Sequence, residues 1–116
     1  MIRAIDLTWP GGEHAFLLRL EHLRAIQDKC DAGPGFVLTR LTEGTWRLDD
    51  VIQPLRLGLE GGGMARDAAT RLVLDRLEEA PGDCVLTAKL LMQAALFGVP
   101  DDPVGDTKPG EPPAGE

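Results

Sequence analysis

The sequence predicts an α+β fold in which an N-terminal β-hairpin packs on a bundle of about five helices. Residues 2–9 alternate between apolar and polar side chains, and residues 13–19 resume this alternation after Pro10-Gly11-Gly12. A period of two is typical of half-buried strands, and the Pro-Gly-Gly run is a strong turn signal. From residue 20 onward, apolar residues recur at helical spacing. Two strands alone are only marginally stable, so the predicted hairpin, residues 2–19, must pack on the helices.

Five helical segments are predicted after the hairpin, each bounded by a start or stop signal. They cover residues 20–31, 34–43, 49–61, 66–79 and 84–98. Asp49 or Asp50 is expected to cap the third helix, because a carboxylate at this position accepts hydrogen bonds from free backbone N–H groups. Pro54 is expected to kink this helix or to force a restart. The three glycines at 61–63 are expected to end it and to form a flexible joint.

The fifth predicted helix is apolar on almost every side. Pro81-Gly82 is expected to end the preceding helix, and Asp83 is expected to cap this one. Within it, only Lys89 and Gln93 form a narrow polar stripe. A helix of this kind lies in the centre of a core or is covered by a partner, and the sequence leaves both alternatives open.

Composition divides the chain into a domain, residues 1–98, and a tail, residues 99–116. The whole chain has 116 residues and a net charge of −7, and the tail contributes five acids and one base. The tail also has five Pro, three Gly and no aromatic residue, so it is expected to be disordered. This charge disfavours nucleic acid and anionic membranes as partners. No run of 18 apolar residues is present to span a membrane, and Asp6 interrupts the apolar region that a signal peptide would need, so the cytoplasm is the expected location.

No enzymatic activity, cofactor or metal is expected from the residue types present. The chain has no Tyr and no Ser, which excludes serine-dependent hydrolysis. The glycines at 61–63 lack both the preceding strand and the Gly-Lys-Ser/Thr ending of a phosphate-binding loop. His14 and His22 have no further ligands at a spacing that suits zinc, and Cys84 has no base that would activate it.

Six apolar or aromatic residues are the candidate contacts for a protein partner. The two tryptophans lie beside turns, where they are either core residues or interface anchors. The other four belong to the all-round apolar helix. Charged substitutions at Leu90 or Leu91 are expected to abolish partner binding and to leave the fold intact. The candidates are Trp9, Trp46, Leu86, Leu90, Leu91 and Phe97.

The sequence as a whole resembles a known family. Its most specific pieces are the runs QDKCDAGP at 27–34, LGLEGGGM at 57–64 and GVPDDP at 98–103. With the segments around them, they resemble the gene transfer agent family of small bacterial proteins, which is grouped with phage tail assembly chaperones. The resemblance covers about residues 3–105. One departure is Ala65, where a capping Ser or Thr would be expected.

The resemblance implies a helper of tail morphogenesis without an active site. Such chaperones are thought to coat the long, helical tape-measure protein, to recruit tail-tube subunits and then to leave the particle. Chaperones of this type often form rings or dimers, so the resemblance also allows a homo-oligomer. A structural tail component that stays in the particle, such as a terminator or connector, is the alternative. An acidic regulator that occupies a basic site on another protein is a third hypothesis.

Overall fold

The fold is α+β, with one hairpin and five helices, as the sequence predicts. The computed structural model describes residues 4–98, so the predicted disorder of residues 99–116 lies outside the described range. The elements are the strands Ile5–Trp9 (β1) and Gly12–Phe16 (β2), followed by the helices Leu20–Cys30 (α1), Pro34–Glu43 (α2), Leu48–Gly61 (α3), Arg66–Glu79 (α4) and Pro81–Phe97 (α5).

The hairpin is antiparallel, and one of its faces is buried. Trp9 stands opposite Gly12, which has a φ of 114° that a residue with a Cβ rarely adopts. The alternation of side chains places Trp9 and Phe16 on the inner face, where both are buried. Asp6 and Thr8 point to the opposite, exposed face. The period of two in the sequence therefore predicted the faces of β1 correctly.

Helix α3 begins one residue earlier than predicted, and neither aspartate is its N-cap. Arg47 is the cap residue, and Asp50 occupies the third helical position, where its Oδ2 accepts a hydrogen bond of 2.8 Å from the backbone N–H of Arg47. The predicted restart at Pro54 does not occur, because α3 continues through it to Gly61. The ring of Pro54 is fully buried, so its packing offsets the backbone hydrogen bond that proline cannot make.

Helix α5 begins at Pro81, three residues before the predicted start. The N-cap is Ala80, and Pro81 is the first helical residue. Proline is favoured at this position because the N–H that it lacks would have no partner within the helix. Asp83 is therefore not a cap but part of the first turn, where its negative charge suits the positive end of the helix dipole.

Helices α3 and α5 form the centre of the molecule. α3 packs against the four other helices and β2, and α5 packs against α2, α3, α4 and β1. The buried core draws on every element, and its largest fully buried apolar side chains are Phe16, Ile26, Val37, Val51, Leu55, Leu59, Val73, Leu91 and Met92. The hairpin thus lies across the two central helices.

The hairpin approaches α3 closely where that helix is rich in glycine. The backbone N–H of Leu17 donates to the carbonyl of Gly58 at 2.9 Å. A Cβ added at Gly61 would collide with the carbonyl oxygen of Leu17, and one added at Gly62 would collide with that of Ala15. The glycines at 61 and 62 therefore do more than end the helix, because they leave room for the backbone of the hairpin.

Candidate partner-binding surface

Helix α5 has a buried side, which lies in the core, and an exposed side, which is also apolar. The buried residues are Cys84, Thr87, Ala88, Leu91 and Met92. On the other side, Leu86 is 54% exposed, Leu90 is 47% exposed and Phe97 is 76% exposed. Large apolar side chains with this exposure mark a surface suited to a protein partner when they lie together.

The exposed residues of α5 share one stripe, which we call the α5 seam: Leu86, Leu90, Gln93 and Phe97. Their spacings of four, three and four residues bring them to one face of the helix. Eleven residues of α-helix span about 16 Å. The α5 seam therefore has the spacing and the length to accompany about three turns of a second helix.

A groove lies beside the lower part of the α5 seam, and we call it the β1–α5 groove. Its volume is about 530 Å³, and its walls are β1 and the C-terminal part of α5. The residues that line it are Ile5, Asp6 and Leu7 from β1, Leu90, Gln93, Ala94 and Phe97 from α5, and then Gly98. Most of this lining is apolar, and three residues of the α5 seam, Leu90, Gln93 and Phe97, also line the groove.

Three of the six predicted contact residues are not on this surface. Leu91 is 2% exposed and lies against Gly58 of α3. Trp9 is buried: its ring packs edge-on against Phe16, and its Nε1 donates to Nδ1 of His14 at 2.9 Å. Trp46 is partly buried and packs against the core. Leu91 and Trp9 are thus core residues in this fold, which corrects their assignment as candidate contacts.

The structure brings together Leu86, Leu90 and Phe97, and it adds neighbours that the sequence did not single out. Ile5, Leu7 and Ala94 line the groove. The sequence did contain a signal for the exposed side of α5, namely the polar residue Gln93. In the structure Gln93 is exposed and lies in the middle of the α5 seam. Residues one or two turns from this glutamine face outward with it.

The two cysteines are buried thiols with little nucleophilic character. Burial, together with the nearby Asp50, raises the pKa of Cys30 to about 12. The Cys30 Sγ donates to the carbonyl of Asp49 at 3.3 Å. Burial also raises the pKa of Cys84, whose place in the first turns of α5 does not overcome that effect. Both thiols therefore stay protonated near neutral pH.

A buried ion pair and a hydrogen bond join the ends of α1 and α2 to the start of α3. Asp50 of α3 is fully buried, and Nη1 of Arg40 on α2 lies 3.2 Å from its Oδ1. Nη2 of Arg47 donates to the carbonyl of Cys30 at the end of α1, at 2.8 Å. These groups satisfy one another, so the arrangement fits a structural junction between α1, α2 and α3.

Within residues 4–98, no group of three or more His, Cys, Asp or Glu side chains is placed to hold a metal ion. None of the helices described for this chain has the length and apolar character needed to cross a bilayer.

A family model described as phage tail tube protein, GTA-gp10, matches residues 3–98 of the chain. This range includes all seven elements of the fold together with the α5 seam and the β1–α5 groove. Comparisons with curated proteins and with solved structures gave no match. Since the family model covers well over half of the sequence, the chain belongs to the phage tail tube protein, GTA-gp10, family.

Proposed function

We propose that the protein is a non-enzymatic assembly chaperone for the tail of a gene transfer agent or related phage-like particle. It binds the tape-measure protein, tail-tube subunits or both in the cytoplasm, and it leaves before the particle is complete. Membership of a tail-protein family supports a role among tail proteins.

The observation that carries this proposal is the α5 seam. Leu86, Leu90 and Phe97 remain exposed on a helix whose other side completes the core. Exposed apolar side chains in a row weaken solubility unless a partner covers them. A small domain with one such row can cover an apolar helix of another protein and release it later.

A tail-tube subunit that stays in the particle is the second candidate, because the family description names a tail tube protein. Such a subunit contacts neighbours on at least two different surfaces. In the described part of the chain, the helices other than α5 each contribute one large exposed apolar residue: Leu20, Phe36, Leu48 and Leu74. This favours one extended partner surface, on α5.

The test is to produce the tape-measure protein of the same tail gene cluster together with this chain. We expect the wild-type chain to keep the tape-measure protein soluble and to be missing from purified particles. Leu90→Asp is expected to lose this effect. Leu74→Asp is the matched control, because Leu74 on α4 is 46% exposed and Leu90 is 47% exposed.

Particle composition separates the two candidates. A chain found in purified particles at the copy number of a tube subunit would overturn the chaperone proposal in favour of the structural one. A tape-measure protein that is equally soluble with and without the chain would also overturn it.

A further inference from the structure

We propose that the outer edge of β1 accepts an added β-strand from a partner protein, a segment in extended conformation with apolar side chains at alternate positions. The added strand lies in the β1–α5 groove and extends the two-stranded hairpin to three strands. The inference goes beyond the proposed function, because it concerns the backbone edge of the hairpin and a strand as partner rather than the α5 seam and a helix.

The outer edge of β2 is covered by a helix. In an antiparallel pair, successive residues direct their backbone N–H and C=O groups alternately toward the partner strand and away from it. Of the groups that point away from β1, the N–H of Leu17 donates to the carbonyl of Gly58 at 2.9 Å. The carbonyl of Ala15 lies so close to Gly62 that a Cβ there would collide with it. Helix α3 therefore occupies this edge.

The outer edge of β1 has no such cover. Asp6 stands opposite Ala15 in the register, and Thr8 stands opposite Glu13. Because paired residues direct their backbone groups both inward or both outward, Asp6 and Thr8 direct theirs away from β2. Both residues are exposed, and within residues 4–98 no hydrogen bond joins their backbone to a helix. Since each has one donor and one acceptor, this edge presents a row of groups to which a strand can pair.

The β1–α5 groove runs along this edge rather than over a face of the hairpin. Side chains alternate between the two faces of a strand, so a groove over one face would be lined by every second residue of β1. The lining instead includes the three consecutive residues Ile5, Asp6 and Leu7, although the side chain of Asp6 points to the opposite, exposed face. The groove therefore gives a partner access to the backbone of β1.

The occupant is a strand because an extended backbone matches the groups on the edge. Neighbouring strands pair at about 4.8 Å, whereas a helix uses its backbone groups internally. An added strand places every second side chain on the face that it shares with Ile5 and Leu7. These side chains meet the apolar wall that α5 forms with Leu90, Ala94 and Phe97. Backbone pairing then supplies affinity, and the wall selects apolar residues at alternate positions.

Charge argues against a second copy of this chain as the occupant. Antiparallel pairing of two β1 strands sets the two Asp6 side chains opposite or diagonal to each other on one face, and like charges so close destabilise a sheet. The net charge of −7 adds repulsion between copies. A partner strand with Thr or Lys at its exposed positions avoids this repulsion and offers Asp6 a complementary neighbour.

The experiment uses the full-length chain and a labelled peptide of about eight residues, in which Val alternates with Thr or Lys. Two twins have the same sequence and carry backbone N-methyl groups, one twin on its Val residues and the other on its Thr and Lys residues. N-methylation removes the N–H donor, and the two sets of N–H groups lie on opposite edges of an extended peptide. Binding is followed by the fluorescence anisotropy of the label.

We expect the unmethylated peptide and one twin to bind with similar affinity, and the other twin to bind about tenfold or more weakly, because only one edge of an added strand faces β1. The identity of the weaker twin reports whether the added strand runs parallel or antiparallel to β1. A peptide of the same composition without the alternation is also expected to bind about tenfold or more weakly, because its Val residues no longer share one face.

Variants at Asp6 test the edge from the side of the chain. Asp6→Pro removes a donor from the outer edge, where proline is tolerated, and it is expected to weaken binding about tenfold or more. Asp6→Ala is the matched control, because it keeps the N–H and removes only the carboxylate, and it is expected to change binding less than about threefold. Circular dichroism checks that both variants fold. The N-methylated twins need only the wild-type chain, so they decide the question even if Asp6→Pro does not fold.

Equal binding of the two twins, no binding of the unmethylated peptide, or unchanged affinity of a folded Asp6→Pro variant would each overturn the inference. Sedimentation equilibrium of the chain alone tests the second copy: a dimer that Asp6→Pro dissociates would assign the edge to self-association instead. None of these measurements involves the tape-measure protein. Failure here therefore leaves the proposed function standing, and a chain found as a subunit of the particle could still pass the peptide test.

Discussion

At the scale of single residues, Leu90 and Leu91 show how strongly the exposure of a side chain depends on its direction from the helix axis. The two leucines are neighbours on α5, yet one is 47% exposed and the other is 2% exposed. Successive side chains on an α-helix point in directions that differ by about 100° around the helix axis. The sequence could not separate them by hydrophobicity, because both sides of α5 are apolar.

The two leucines are expected to differ sharply in their effect on stability. Leu91→Asp buries a charge in the core against α3, so it is expected to cost about 4 kcal/mol or more, or to prevent folding. Leu90→Asp is expected to cost about 1 kcal/mol, because it removes a half-exposed apolar side chain and introduces a weaker helix former. Urea unfolding followed by circular dichroism measures both values. A stable, cooperative Leu91→Asp variant would contradict the packing described for α5.

Asp50 is expected to be the most important carboxylate for stability. Asp50→Ala leaves Arg40 and the backbone N–H of Arg47 without their buried partner, and it is expected to cost about 3 kcal/mol. The adjacent Asp49 is exposed, so Asp49→Ala is the matched control and is expected to cost less than about 1 kcal/mol. Thermal and urea denaturation compare the two variants, and equal losses would argue against the junction.

Cys30 is expected to make the fold less stable in alkali. The folded chain raises the pKa of this thiol from 9.0 to about 12, so it holds the proton more tightly than the unfolded chain does. The free energy of unfolding should therefore fall as pH rises from 9 toward 12. Urea titrations at several pH values should show a shallower fall in Cys30→Ala. An identical fall in both chains would rule out this contribution.

At the scale of elements, local signals in the sequence predicted most of the fold. The ranges of α2 and α4 match the prediction, since Gly33-Pro34 and Gly44 at the ends of α2 follow ordinary capping rules. The two misplaced helix starts have different causes. At α3, Asp50 has the chemistry of an N-cap but lies in the first turn, and at α5, Pro81 predicts the end of α4 but is also the first residue of the next helix.

Local sequence patterns could not predict the contact between the hairpin and α3. The sequence indicated that the glycines at 61–63 end a helix, but not that a strand crosses them. Similarly, Asp50 and Arg40 lie on different helices, so no spacing along one helix links them. The groove shares this property, because β1 and α5 stand at opposite ends of the described chain.

Gly61 is expected to be important for the stability of the fold. Gly61→Ala places a methyl group against the Leu17 carbonyl, so it is expected to cost about 2 kcal/mol or more. Gly82 lies in the first turn of α5 with no atom within 4 Å of an added Cβ. Gly82→Ala is therefore the control, and it is expected to be neutral or stabilising by up to about 1 kcal/mol. The two midpoints of urea unfolding test this difference, and a neutral Gly61→Ala would contradict the close approach.

At the scale of the whole molecule, α5 joins elements that are distant in sequence. It packs against α2, α3, α4 and β1, and it supplies Ala88, Leu91 and Met92 to the core. A cooperative fold therefore requires the entire range from the hairpin to α5. Helical propensity alone would stabilise the individual helices only weakly, because short isolated helices are marginally stable in water.

Two truncated chains are expected to differ in whether they unfold cooperatively. A chain that stops after Gly98 keeps every described element, and it is expected to unfold cooperatively with a midpoint close to that of the full chain. A chain that stops after Ala80 lacks α5 and is expected to show no cooperative transition. Circular dichroism and calorimetry distinguish these outcomes, and a cooperative transition without α5 would show that the core does not depend on it.

The position of α5 in the chain also has a consequence for biosynthesis. A ribosome releases the N-terminal hairpin and α1 to α4 first, and the helix that covers α2 and α3 emerges after them. During that interval, the nascent chain displays apolar faces that the finished domain hides. A protein proposed to shield the helices of others therefore passes through a stage, during its own translation, in which its own interior is open to the same unwanted contacts.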